Sequence, residues 1–183
     1  DISSNDVAPA SVTFNTTNTY TLQGTMAITG STVLTKTGSG TLNINNTNTY
    51  SGNTTISAGT VNLNGSLTGT AVTVNGTGTL VESPSGVIDG TKGLTLSSSG
   101  KTNLLLGVNT YSGATTINSG ATLQLGDGTA GHDGTIANSP SLVVNPGGAL
   151  IFNRFGSDTY SGVISATGSG PVTKVGPGTQ AFT

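Results

Sequence analysis

A segment of about sixteen residues occurs twice, and that repetition limits what this chain can fold into more than any other feature. Asn48-Thr49-Tyr50-Ser51-Gly52-Asn53-Thr54-Thr55-Ile56-Ser57-Ala58-Gly59-Thr60-Val61-Asn62-Leu63 returns as Asn109-Thr110-Tyr111-Ser112-Gly113-Ala114-Thr115-Thr116-Ile117-Asn118-Ser119-Gly120-Ala121-Thr122-Leu123-Gln124-Leu125, with one extra residue near the end. Partial copies stand at Asn18-Thr19-Tyr20-Thr21 and Asp158-Thr159-Tyr160-Ser161-Gly162. A second motif, Leu34-Thr35-Lys36-Thr37-Gly38-Ser39-Gly40-Thr41, recurs as Val172-Thr173-Lys174-Val175-Gly176-Pro177-Gly178-Thr179. A third, Val72-Thr73-Val74-Asn75-Gly76-Thr77-Gly78-Thr79-Leu80, recurs as Leu142-Val143-Val144-Asn145-Pro146-Gly147-Gly148-Ala149-Leu150. A chain that repeats itself in this way builds one small unit again and again, each unit burying its apolar side on the next.

Strands are the natural unit. Short runs alternate apolar and polar residues, as in Thr41-Leu42-Asn43-Ile44, Thr60-Val61-Asn62-Leu63, Ala71-Val72-Thr73-Val74, Leu94-Thr95-Leu96 and Thr122-Leu123-Gln124-Leu125, each bounded by Gly, Asn or Ser. That is the pattern of strands separated by tight turns. Helix is disfavoured, because Gly, Thr, Ser and Asn make up more than half the chain and no apolar pattern of helical period lasts beyond a turn. The tyrosines fall at 20, 50, 111 and 160, so the copies are unequally spaced and carry insertions. A propeller or closed barrel tolerates this poorly, whereas a parallel β-helix needs only its few inward residues in line and lets extra residues loop outward at a turn. The expected fold is therefore all-β, a right-handed parallel β-helix with irregular repeats, at roughly seven to nine coils of about 20–25 residues stacked at ~4.8 Å.

Composition narrows the function. With 32% hydrophobic and 7% charged residues over 183 positions, the chain lacks the thick aliphatic core of an ordinary enzyme domain. Its formal net charge of −2 and its many Thr, Val and Ile residues separate it from disordered chains. Five basic residues, spread along the chain, give no footprint for a nucleic acid backbone. There is no cysteine, and no apolar run of membrane-spanning length, so membrane insertion of this segment is not expected. Residues 1–183 read as a single β-helical segment, and the incomplete last motif suggests a fragment of a longer array. Coil ends present unpaired strand edges, which makes end-to-end self-association an expected hazard. The register of coils across residues 66–104 is not set by the repeats, since Lys101-Thr102-Asn103 echoes the Lys-x-Gly-x-Gly motif only loosely.

The Leu34 to Leu42 motif, followed by Asn48 to Ile56 and Gly59-Thr60-Val61, resembles the autotransporter-associated β-strand repeat of bacterial surface proteins. The second copy, through Leu123-Gln124-Leu125-Gly126-Asp127-Gly128, is similar to the same family. The resemblance covers roughly residues 30–65, 105–130 and 165–183. It implies a right-handed β-helical stalk in the passenger region of an exported protein, extracellular or on the outer surface of a Gram-negative-type cell.

Three groups of residues are candidates for chemistry or contact. Tyr20, Tyr50, Tyr111 and Tyr160 share a repeat position, so they form either a stripe for stacking sugars or a set of plugs beneath a turn, with the plug favoured. Gly126 to Gly134 holds the only His and two acids. Its Gly131-x-Asp133-x-Thr135 pattern has some likeness to a calcium-binding glycine-rich repeat, which would make Asp127 and Asp133 metal donors. One copy of the pattern favours a solvated loop, and no cofactor is expected. Lys36 and Lys174 precede matched Gly-x-Gly turns and read as turn-capping residues. Pairs such as Thr47-x-Thr49, Thr68-x-Thr70 and Thr77-x-Thr79 resemble ice-binding faces, but their spacings vary. The acids Asp1, Asp6, Glu82, Asp89, Asp127, Asp133 and Asp158 are dispersed, so convergent carboxylates for polysaccharide cleavage are not indicated. The reading that results is a non-enzymatic structural or adhesive segment, acting as stalk or contact surface for glycans or for host or neighbouring cells. The alternative is a carbohydrate-binding module or a polysaccharide-degrading β-helix enzyme.

Overall fold

The computed structural model describes residues 1–168 and 170–183. Among the described residues there is no helix, and the strand pairings are parallel throughout. Two eight-stranded sheets run along the molecule. The first opens with Ser11–Asn15 and ends with Val163–Ala166, and the second opens with Tyr20–Leu22 and ends with Val172–Val175. After each visit to the first and second sheets the chain crosses a third side. That side carries Thr47–Asn48, Ser66–Thr68 and Val87–Asp89, and further on the pair Ser157–Tyr160 with Thr179–Phe182. Each circuit is one coil, so the fold is a β-solenoid of about eight turns, as the repeats anticipate.

Along the first sheet Leu34, Thr54, Val72, Leu94, Thr115, Leu142 and Ile164 lie opposite one another in successive coils, at steps of 20, 18, 22, 21, 27 and 22 residues. The shortest and longest steps fall outside the 20–25 expected, because a coil can lose residues at one turn or extrude a loop at another without disturbing its inward positions. The 27-residue step contains the Gly126 to Gly134 loop. Across residues 66–104, where the sequence leaves the register open, Leu67 faces Ile88 and Val72 faces Leu94.

Alternation puts every second residue inside. One stack in the second sheet runs Leu42, Val61, Leu80, Asn103, Leu123 and Leu150, all buried. Its neighbour includes Ile44, Leu63, Glu82, Leu105, Leu125 and Phe152. Fully burying each aliphatic side chain contributes about 1.5–3 kcal/mol, so a narrow tube of small coils accumulates a core that the low overall hydrophobicity conceals. Polar residues at inward positions are the exceptions, and they define the interior chemistry of the molecule.

The outward face of the first sheet has its own order. Thr13, Thr35, Thr55, Thr73, Thr95 and Thr116 are paired from coil to coil in one rank. The Thr pairs singled out in the sequence do not build this rank. Thr70 is buried, and Thr47 and Thr68 lie on the third side.

Candidate functional site

The tyrosines at 50, 111 and 160 are inside. Tyr50 and Tyr111 are 0% exposed and Tyr160 is 2% exposed, so none offers a ring face to a ligand approaching from solvent. This corrects the sugar-stacking stripe: these three rings fill the volume under the turn from the third side into the first sheet. The hydroxyl of Tyr50 meets Thr54 Oγ1 at 2.7 Å, Thr54 meets Thr70 Oγ1 at 2.9 Å, and Thr70 donates to the Gly52 carbonyl at 2.7 Å. In the second copy Tyr111 meets Thr115 Oγ1 at 2.8 Å, Thr115 meets Ser139 Oγ at 3.0 Å, and Ser139 donates to the Gly113 carbonyl at 2.9 Å. Tyr160 donates to the Ser139 carbonyl at 2.8 Å. Burial pushes all three phenols above the usual tyrosine range. The glycine two residues after each of the first two tyrosines is a packing requirement. A Cβ on Gly52 would overlap the Thr32 carbonyl, and one on Gly113 would overlap the backbone of Gly93.

Tyr20 differs. It sits in the second sheet, not under the third-side turn, and is 52% exposed. Its ring lies 6.3 Å from that of Phe14, and the two line a surface pocket of about 230 Å³ with Thr13, Asn15 and Thr16.

The asparagine that opens the repeat is a rivet between coils. Asn48 Oδ1 accepts the Ile28 amide at 3.0 Å, and Asn109 Oδ1 accepts the Ile88 amide at 2.7 Å. The partners of the two side-chain amides then diverge. Asn48 Nδ2 donates to Asn46 Oδ1 at 3.0 Å, whereas Asn109 Nδ2 donates to Glu82 Oε2 at 2.9 Å. Glu82 Oε2 also accepts the Gly107 amide at 2.9 Å, while its Oε1 is buried without a partner. Burial raises the Glu82 carboxyl to about 7, against the opposing hydrogen bonds from Asn109, Gly107 and Leu106.

Buried cations are likewise structural. Lys36 occupies a core position of the first sheet, and its ammonium donates to the carbonyls of Thr37 and Gly38 at 2.8 Å and of Ala58 at 3.2 Å. Loss of hydration lowers its pKa. Lys174 caps Val175 and Gly176 in the same way at 2.6 and 2.9 Å, but in the second sheet and exposed. Matched motifs therefore serve different sides of the coil. Arg154, 1% exposed, pairs with Asp158 at 3.0 Å, donates to the Asp133 carbonyl and lies 5.7 Å from the centre of the Phe152 ring. Burial lowers its pKa, and Asp158 and Asp133 oppose the shift.

The two acids of the extruded loop are drawn to different partners. Asp127 Oδ2 lies 2.9 Å from His132 Nδ1, and Asp127 Oδ1 accepts the Thr129 amide at 2.9 Å. Partial burial raises the Asp127 carboxyl, but the bonds from His132 and Thr129 outweigh it and hold the pKa below the usual value. Asp133 instead accepts the backbone amides of Phe155 at 2.6 Å and Gly156 at 3.1 Å in the next coil. The carboxylate predicted as a metal donor is thus committed to pinning a turn. Among the described residues no three or more His, Cys, Asp or Glu side chains are grouped so as to hold a metal. Two further acids likewise bond to the next coil: Asp6 accepts the Ala27 amide at 2.8 Å, and Asp89 accepts the Thr110 hydroxyl at 2.7 Å.

These repeat-by-repeat rivets and plugs are what known sequences share. The sequence model of the passenger-associated transport repeat matches residues 34–63 and 90–125, the two stretches that hold the Lys36 cap and the Tyr50 and Tyr111 plugs. The chain carries autotransporter passenger repeats. The passenger segment is also 38% identical over 178 aligned positions to the adhesin BmaC autotransporter of Brucella suis biovar 1 (strain 1330). The match takes in 78% of this chain and 5% of that relative, so the chain spans a small part of the curated protein it matches. No solved structure matches the passenger segment. Passenger repeats are cell-surface or secreted structure of Gram-negative bacteria, and the solenoid is that structure here.

Proposed function

We propose that this segment is the stalk and contact surface of an exported adhesive protein, without catalytic activity of its own. The observation that carries the reading is the employment of the interior. The candidate tyrosines at 50, 111 and 160, the buried acid Glu82 and the buried cations Lys36 and Arg154 all hold one coil to the next. Parallel coils satisfy one another's backbone groups, so the array propagates as a stiff body that presents its outer faces to whatever it meets. The adhesin relative supports attachment to a surface, and glycans or a host or neighbouring cell are the partners proposed. Aromatic contact with a ligand is assigned to Tyr20, the exposed member of the four tyrosines.

Beads coated with the folded chain test this. They are expected to attach to cells or immobilised glycans, to lose attachment when the chain is unfolded before coating, and to release no reducing-end or unsaturated sugar products. Product formation, or attachment that is indifferent to folding, would overturn the proposal.

A further inference from the structure

At one place the regular pairing of coils is interrupted, and beside it stands Lys101, the lysine whose ammonium makes no hydrogen bond or ion pair among the described residues. Between Thr79–Glu82 and Lys101–Leu105 the parallel ladder of the second sheet is reduced to one paired position, Val81 with Leu104. The adjacent contacts along this sheet, Thr60–Leu63 with Thr79–Glu82 and Lys101–Leu105 with Ala121–Leu125, are paired over four and five positions. The cause is Asn103, which takes a core position otherwise held by Leu or Val. Its side-chain Oδ1 accepts the Leu80 amide at 2.9 Å, and its Nδ2 donates to Ser98 Oγ at 3.1 Å and to the Thr122 carbonyl at 3.4 Å. A side chain thus stands where a backbone carbonyl would close the ladder.

Outside this opened ladder, at the corner between the first and second sheets, lies a polar groove of about 250 Å³. It is lined by Ser39, Gly59, Thr60, Thr77, Thr79 and Lys101, so it runs along the stack across successive coils. Hydroxyls line the walls, none of the lining residues is acidic, and Lys101 stands at one end. Lys36, Lys92, Arg154 and Lys174 all donate to carbonyls or carboxylates, whereas Lys101 makes no such bond among the described residues. The Lys36 ammonium adds positive charge beneath the groove, since a Cβ built on Gly59 would lie 2.7 Å from its Nζ. Gly59, at φ +70°, keeps that wall low.

We infer that this groove binds an acidic polysaccharide, with Lys101 pairing a carboxylate or sulfate group and the Ser and Thr hydroxyls of neighbouring coils meeting the sugar hydroxyls. A linear glycan fits a groove that runs along the stack, and its anionic group supplies the partner that Lys101 lacks. The inference rests on the adhesive reading above and names the ligand class of one surface within it.

The test measures binding of the folded chain to polygalacturonate, dextran sulfate and neutral dextran. Binding is expected to the two polyanions and not to neutral dextran, and to weaken as salt rises. The stronger of the two polyanions identifies carboxylate or sulfate as the preferred group. Lys101→Ala is expected to weaken polyanion binding about tenfold or more, Lys101→Arg to retain most of it, and Lys92→Ala to leave it within about twofold. Because Lys101 is exposed and makes no contact that the fold requires, the variant should unfold at the temperature of the parent. Three results would each overturn the inference: no binding to either polyanion, equal binding of neutral dextran, or equal losses in the Lys101 and Lys92 variants. Attachment to cells by a chain that binds neither polyanion would end this inference and leave the adhesive reading standing. Polyanion binding without cell attachment would do the reverse.

Discussion

The two full copies of the repeat, at 48–63 and 109–125, keep the same plug and rivet but support them differently. In the first copy a neutral side chain, Asn46, accepts from the rivet Asn48. In the second, Gly107 stands two residues before Asn109, where Asn46 precedes Asn48, and the carboxylate of Glu82 from the preceding coil fills the gap. A Cβ at position 107 would overlap the Gly86 carbonyl and lie 3.2 Å from Glu82 Oε2, so the glycine and the glutamate form one compensated unit. A coil can therefore lose a polar group locally if another coil supplies it, which is how an array with irregular steps keeps a continuous interior. The second copy acquires a titratable core group in consequence.

The largest expected effect tests whether the two plugs are equivalent. Tyr50→Ala and Tyr111→Ala should each cost about 3–5 kcal/mol in urea unfolding, and agree within about 1 kcal/mol, because each opens a cavity and takes one of two hydrogen-bond partners from a buried threonine hydroxyl. A much smaller loss at either would break the comparison. The next effect separates the copies by pH. Glu82 has its proton bound up to about 7 when folded and only to about 4.5 when unfolded. Its contribution is fully present below pH 4.5 and is lost as pH rises through 7, a fall of about 3 kcal/mol. Glu82→Gln should flatten that part of the stability curve. A slope unchanged in the variant would show that the carboxylate is not the group responsible.

Smaller effects compare the two lysine caps and then the loop. Lys36→Ala should cost about 2 kcal/mol, through lost packing and three carbonyls left without their donor, whereas Lys174→Ala should stay within about 0.5 kcal/mol on its exposed coil. Equal losses would mean that burial does not distinguish them. Asp127→Asn should change thermal stability least, by less than about 0.3 kcal/mol, since the Asp127–His132 pair is partly exposed and screened by solvent.

Alternation and repetition make the strands, the coil count and the shared repeat position of Tyr50 and Tyr111 legible in the amino-acid sequence alone. The pairing of Thr41–Ile44 with Thr60–Leu63 follows directly from the two inward aliphatic positions in each, Leu42 and Ile44 against Val61 and Leu63. The sequence is silent where a polar residue takes an inward position. Glu82, Asn103 and Arg154 look like surface residues by type, and their partners Asn109, Leu80 and Asp133 lie in neighbouring coils more than twenty residues away. The only local signal is parity: each stands two residues from a buried aliphatic or aromatic neighbour in its own strand or turn. The Lys36 and Lys174 motifs mislead for a related reason. Their local turn chemistry is the same, but the side of the coil on which a motif falls depends on every insertion before it.

The central claim is that unequal repeats stack as parallel coils in the stated register. Pulsed electron-spin distance measurements test it most directly, with labels at Thr35 paired in turn with Thr116, Val143 and Ser165, which lie four, five and six coils further along one rank. The expected separations are roughly 19, 24 and 29 Å, rising by ~4.8 Å per coil despite sequence steps of 27 and 22 residues. Distances that follow the number of intervening residues, or that fail to rise from one pair to the next, would contradict the stacked solenoid.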